Sequence, residues 1–190
     1  MNECVVSLKN DIEAIGGVAN REVRNLADRN AKRGDLEVML GLDAYLVDVT
    51  IRNNTAASHL VGHDPERAVR NAESAKKNHY FDECKLNNMT MVPFAVDVYG
   101  NFGSEAIEFA NKVAEFARRD NPTLDYNVRD RLLNNFSITL QRYNARMLNR
   151  AIQAHKMESG QEQNARREPA MRADAVRGAI SQGVEPMTDA

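Results

Sequence analysis

The stretch GDLEVMLGLDAYLVDVTI, residues 34 to 51, sets three acids, Asp35, Glu37 and Asp48, into a largely apolar run. Carboxylates gathered in a partly buried place repel one another, and burial strengthens the repulsion. A positive charge is needed among them. A hard divalent cation, Mg²⁺ or Mn²⁺, answers that need, because it prefers oxygen ligands, takes few of them from protein and keeps waters that can react. The other reading is that the acids face solvent on a half-exposed sheet. A second set of groups lies in AVRNAESAKKNHY, residues 68 to 80, where Val69, Ala72, Lys76 and Tyr80 recur at spacings of three and four. That stripe gives Lys76 a route to the carboxylates, although a lysine lying along apolar surface with its ammonium in water has the same spacing. Lys77 is turned away by about 100° and, one turn beyond Glu73, fits a surface pair.

Two strands must position the acids. With Gly41 and Leu42 as a two-residue loop, Gly in the first place suits a type II′ turn, Leu40 faces Asp43, and Asp35 falls opposite Asp48. Directly paired residues share a face, so Leu36, Val38 and Leu40 join Tyr45, Val47, Val49 and Ile51 on one wholly apolar side. The other side collects Asp35, Glu37, Met39, Leu46, Asp48 and Thr50. A four-residue loop keeps the same two faces and puts Asp48 opposite Glu37, whereas a three-residue loop scatters the apolar set.

The remaining elements follow from period and punctuation. Residues 3 to 15 carry Val5, Leu8, Ile12 and Ile15 at helical spacing, and Gly16-Gly17 end the pattern. A short strand near Val18 to Val23 leads into a basic loop with Arg29, Lys32 and Arg33, which is either a contact for a DNA backbone or a solvated loop. Asp64-Pro65 starts a helix that runs to about Tyr80. Residues 89 to 100 form a strand in which Pro93 marks an edge position or a bulge. Ser104 is placed to cap a helix with an inner face of Ile107, Ala110, Val113, Ala114 and Ala117. A long helix from about 127 to 156 has Val128, Leu132, Phe136, Leu140, Tyr143 and Met147 near one stripe, and the polar, aromatic-free residues after 158 predict a disordered tail. The class is α/β or α+β, with a core over 1–125, a helical segment over 126–157 and the tail over 158–190.

Composition narrows the function only a little. The chain of 190 residues is 43% apolar and 27% charged with a formal charge of −2, which neither announces a nucleic-acid binder nor excludes one. Two cysteines, Cys4 and Cys84, are too few for a disulfide framework and point to free thiols in a reducing compartment. No run approaches the ~20 apolar residues of a membrane span. The opening residues have acids where a secretory signal has bases, so they belong to the fold or to a fragment boundary. The four histidines do not have metal-site spacing.

Taken in order, RGDL (33 to 36), LVDVTI (46 to 51), NNTAAS (53 to 58), AKKNHY (75 to 80), VPFAVDVYGNFG (92 to 103) and TLQRYNARML (139 to 148) form a pattern over roughly residues 15 to 150. It resembles the restriction-like endonuclease domain found downstream of the reverse transcriptase in one branch of non-LTR retrotransposons, a member of the PD-(D/E)-x-K nuclease superfamily. The resemblance implies a restriction-endonuclease-like mixed sheet flanked by helices, Mg²⁺ or Mn²⁺ as cofactor, and hydrolysis of a phosphodiester bond in DNA. Asp35 matches the first catalytic acid and Asp48 the second, both as metal ligands, with Glu37 as an additional candidate. Lys76 matches the catalytic lysine, moved from the strand to the following helix so that Thr50 stands in its former place, and Tyr80 matches the tyrosine that accompanies it. Arg29, Lys32, Arg33 and Lys77 are the expected DNA contacts. Asp97 occupies the acidic position of the later strand.

The implied partners are DNA and a reverse transcriptase region of a longer parent protein, within the cell, and in the nucleus if the parent is a eukaryotic retroelement. Two positions depart from the family pattern: Gly34 stands where the superfamily name has Pro, and His79 where relatives often have Lys. No reverse transcriptase motif occurs in these residues, so a non-catalytic descendant that binds nucleic acid or protein is the alternative.

Overall fold

The computed structural model describes residues 2–21, 34–53, 66–123 and 127–181. Arg29, Lys32 and Arg33, the Asp64-Pro65 helix start and most of the small-residue loop after β3 lie outside them. The order is α1 (Asn2–Glu13), β1 (Val18–Arg21), β2 (Leu36–Leu40), β3 (Asp43–Arg52), α2 (Arg67–Leu86), β4 (Thr90–Asp97), α3 (Ser104–Asp120) and α4 (Val128–Ser181). The strands form one mixed sheet in the order β1-β2-β3-β4, antiparallel except for β3 with β4.

The hairpin has the expected register. Leu40 pairs with Asp43, Val38 with Tyr45 and Leu36 with Val47. Gly41 has φ +66°. Leu42 is not among the residues with positive φ, which matches a type II′ turn, since type I′ needs positive φ at both loop positions. The apolar face that follows joins one core with α1, α3 and the start of α4: Leu8 and Ile12, Leu36, Val38 and Val47, Phe94, Phe109 and Phe136 are all buried in it. On the opposite face, α2 lies over β3 and β4, packing Tyr80 and Cys84 against Leu46 and Met91, and Val69 and Ala72 against Ala95. Helices therefore cover both sides of the sheet. Pro93 sits in β4, the edge strand, where a missing backbone N–H is tolerated. Cys4 and Cys84 are both free and buried.

Helices α2, α3 and α4 differ from expectation in bounds or in buried face. Helix α2 continues six residues beyond Tyr80 to Leu86, because Cys84 extends its buried stripe by one more turn. In α3 the expected Ala110, Val113, Ala114 and Ala117 are buried together with Ala106, Phe109 and Phe116, while Ile107 is only half-buried, and Gly103 rather than Ser104 holds the N-cap position. The stripe of α4 is buried through Leu140 but not at Met147, which is 49% exposed. Helix α4 also runs through residues 158–181, where composition predicts a disordered tail. Repeated Ala, Glu, Gln and Arg give that segment local helix propensity. Residues Met1–Asn144 and Ala145–Ala190 are separate compact units.

Candidate active site

Asp48 is the centre of the site. It lies in the middle of β3, on the face that α2 covers, and is 5% exposed. Its Oδ1 accepts a hydrogen bond from the Tyr80 hydroxyl at 3.0 Å, and its Oδ2 pairs with Lys76 Nζ at 2.8 Å and accepts from Thr50 Oγ1 at 3.4 Å. Lys76 and Tyr80 are one helical turn apart, so one face of α2 presents both to the same carboxylate. The Lys76 ammonium also stands 5.9 Å from the Tyr80 ring centroid, and His79 meets that ring edge-on at 4.7 Å. The Lys76 side chain is 31% exposed, so the Asp48 end of the pair is buried while the lysine end reaches water.

Asp35 precedes β2 and completes the group. Pairing of β2 with β3 reaches Leu36–Val47, and beyond it the Asp35 carboxylate accepts the Val49 amide at 2.8 Å. Burial pushes the Asp35 pKa up. The Val49 hydrogen bond opposes that rise, the Asp48 charge adds to it, and Lys76 and Arg21 counter it. Asp35, Asp48 and Lys76 thus feel one another's charge. The Tyr80 hydroxyl is pushed well above the ordinary phenol range, first by burial and then by the Asp48 and Asp35 charges, so it remains a proton donor to Asp48.

The carboxylate cluster is smaller than expected. Glu37 is half-buried on the same side of the hairpin, but it pairs with Leu46 and Asn20 rather than with an acid. Among the described residues no group of three His, Cys, Asp or Glu side chains is poised to hold a metal. The ammonium of Lys76, instead of a third acid, relieves the charge at Asp48. Two coupled carboxylates on an open-sided site still suit Mg²⁺, which often takes one or two protein carboxylates and keeps the rest of its shell as water.

Lys77, expected on DNA, pairs with Glu105 of α3 at 2.6 Å. Its expected neighbour Glu73 is buried and caps α3, accepting from the Glu105 amide at 3.0 Å and from Ser104 Oγ at 3.3 Å. A β-carbon at Gly103 would come within 2.0 Å of Glu73 Oε1, which explains the glycine there. These two links fix the rotation of α2 and thereby aim Lys76 and Tyr80. Sequence spacing did not reveal them, because both join residues about thirty positions apart. Gly34 has a similar cause: a β-carbon there would meet Leu46 Cδ1 at 2.4 Å, so the Leu46 side chain occupies the space that a larger residue before Asp35 would need.

Asp97, on β4, is the other buried acid on this face of the sheet. It is 1% exposed and accepts the Tyr99 amide at 2.8 Å, the Asn101 amide at 2.9 Å and Asn101 Nδ2 at 2.6 Å. That is a turn-holding arrangement. In comparison with known proteins, no family model matches the chain and no curated protein matches it. Among the described residues no helix is long and apolar enough to cross a membrane.

Proposed function

We propose that this chain is a metal-dependent DNA endonuclease domain of the restriction-like kind associated with non-LTR retrotransposons, hydrolysing a phosphodiester bond in target DNA. The observation that carries the reading is the meeting of Asp35, Asp48, Lys76 and Tyr80 from a strand entrance, a strand and a helix at one partly open place. Asp35 and Asp48 would hold Mg²⁺, which when bound lowers the pKa of a coordinated water and draws charge from a phosphate oxygen. The Val49 amide orients Asp35, and the Tyr80 hydroxyl orients Asp48 through Oδ1. Lys76 holds the other oxygen of Asp48 and is exposed enough to turn toward an incoming phosphate, where its ammonium balances the charge that develops as the bond breaks.

A supercoiled-plasmid assay with and without Mg²⁺ tests this. Conversion to nicked or linear DNA only with the metal is the expected result. DNA binding with no nicking under any divalent cation would replace the enzyme with the non-catalytic descendant of the fold.

A further inference from the structure

Arg52 is the last residue of β3. Strand alternation puts it on the same face as Asp48 and Thr50, and its register partner is Asp97 on β4. Its Nε is buried and has no hydrogen-bond partner, and it belongs to none of the ion pairs among the described residues. A guanidinium beside a buried aspartate ordinarily pairs with it. Here the obvious acceptor is committed, because both oxygens of Asp97 are hydrogen-bonded within the turn formed by Tyr99 and Asn101. A cation half removed from water without an anion is costly, and an anion that reached Arg52 would relieve that cost.

The surroundings favour an anion at that end of the site. Strands β3 and β4 run parallel, and open α/β sheets bind ligands outside the carboxyl ends of such strands. Val69 and Ala72 of α2 pack on Ala95, which pairs with Thr50, so the amino-terminal and positively polarised end of α2 lies toward Arg52. Four residues of strand separate Arg52 from Asp48, roughly 13 Å at 3.3 Å per residue. A DNA strand presents a phosphate about every 3.4 Å along the helix axis. A backbone crossing the site with one phosphate at Asp48 therefore brings another, a few nucleotides along, to Arg52.

We infer that Arg52 is a DNA-phosphate contact, gripping the backbone a few nucleotides from the phosphate engaged by Asp35, Asp48 and Lys76. This rests on the nuclease reading and adds to it the direction in which the substrate leaves the site. Lys77 is paired with Glu105, whereas Arg52 belongs to no ion pair among the described residues.

The test is binding of a fluorescent DNA duplex in EDTA, followed by anisotropy across a series of salt concentrations, for wild type, Arg52→Met and Arg52→Gln. Loss of one phosphate contact should reduce the magnitude of the slope of log K against log salt by about 0.9 and weaken binding most at low salt. Arg52→Met keeps the aliphatic stem and removes the unpartnered Nε, so it should fold at least as well as wild type, and Arg52→Gln provides a second neutral variant. A slope unchanged from wild type in either folded variant overturns the inference while leaving the nuclease reading in place. A wild-type protein that binds no duplex overturns this inference, and one that also fails to nick plasmid with Mg²⁺ overturns the nuclease reading as well.

Discussion

Asp48 and Asp97 lie on the same face of neighbouring strands, both almost wholly buried, yet they are satisfied in opposite ways. Asp97 is held by amides of its own turn, donated from residues two and four positions on. Asp48 is held by side chains from α2, 28 and 32 positions away, one of them a lysine that reaches water. A carboxylate held on both oxygens by donors of its own turn is tied to the local fold. One met by flexible, partly exposed side chains can exchange them for a metal or a substrate. The difference suggests that burial of an acid says little about its role until the origin of its partners is known.

The largest expected effect separates these two acids. Asp48→Asn should lower Mg²⁺-dependent nicking by about 10² to 10³-fold, the scale of removing one preorganised charge-stabilising group. In EDTA it should also destabilise the protein by about 1 to 3 kcal/mol, because Lys76 loses its counter-charge. Asp97→Asn should cost a similar amount of stability, since the amide cannot accept as strongly from the Tyr99 and Asn101 donors. Its nicking rate per folded molecule should stay near wild type. Plasmid nicking and urea midpoints on both variants check this, and a loss of nicking as large at Asp97 as at Asp48 would erase the contrast.

Tyr80→Phe sharpens it. The ring packing beside Leu46 and Cys84 is retained while Asp48 Oδ1 loses its donor, so stability should fall by about 1 to 2 kcal/mol, measured by urea denaturation. Nicking should fall less than for Asp48→Asn, because the carboxylate and Lys76 remain. If Tyr80→Phe abolished nicking while leaving the urea midpoint unchanged, the hydroxyl would act on the substrate rather than on Asp48.

These contrasts also mark what was legible in the sequence. The hairpin was readable because only one class of register puts seven apolar residues on one side, and Gly41 alone has the turn's positive φ. The alignment of Lys76 and Tyr80 was readable from spacing on α2. What periodicity could not give was the partner chosen by each charge. Lys77 and Glu73 lie one turn apart and suggest each other, but packing of α2 against α3 sends them to Glu105 and to the α3 amino terminus. Glu37 lies opposite Leu46, as the two-residue loop requires, yet no three-acid group forms on that face among the described residues.

A smaller effect concerns Asp35, whose folded pKa is raised mainly by burial. A raised acid contributes stability that is fully present below its unfolded value, near 3.9, and is lost as pH rises through the folded value. Asp35→Asn does not ionise and its carbonyl oxygen can still accept the Val49 amide, so in EDTA it should match wild type at strongly acid pH and become more stable as pH rises. The gain should stay below ~1 kcal/mol, because water screens a half-buried group. Urea midpoints from pH 3 to pH 7 test the sign, and a variant less stable than wild type at neutral pH would mean that the Asp35 charge is held by Lys76 and Arg21 more firmly than burial opposes it.

The smallest effect belongs to the far end of α4. Residues 145–157 are exposed throughout, and the buried stripe of α4 ends at Leu140. A segment that buries so little apolar surface cannot offset the entropy of fixing its backbone through tertiary packing, so its helix rests on local propensity alone. Residues 158–190 hold no aromatic side chain and many polar ones, so a chain ending at Met157 should keep the stability of the full protein to within ~0.5 kcal/mol and lose helical ellipticity only in proportion to the residues removed. Thermal melts of the two chains decide it. A clear drop in melting temperature would show that the segment is tied to the sheet domain, and α4 would then belong to the fold in the way Asp97 does.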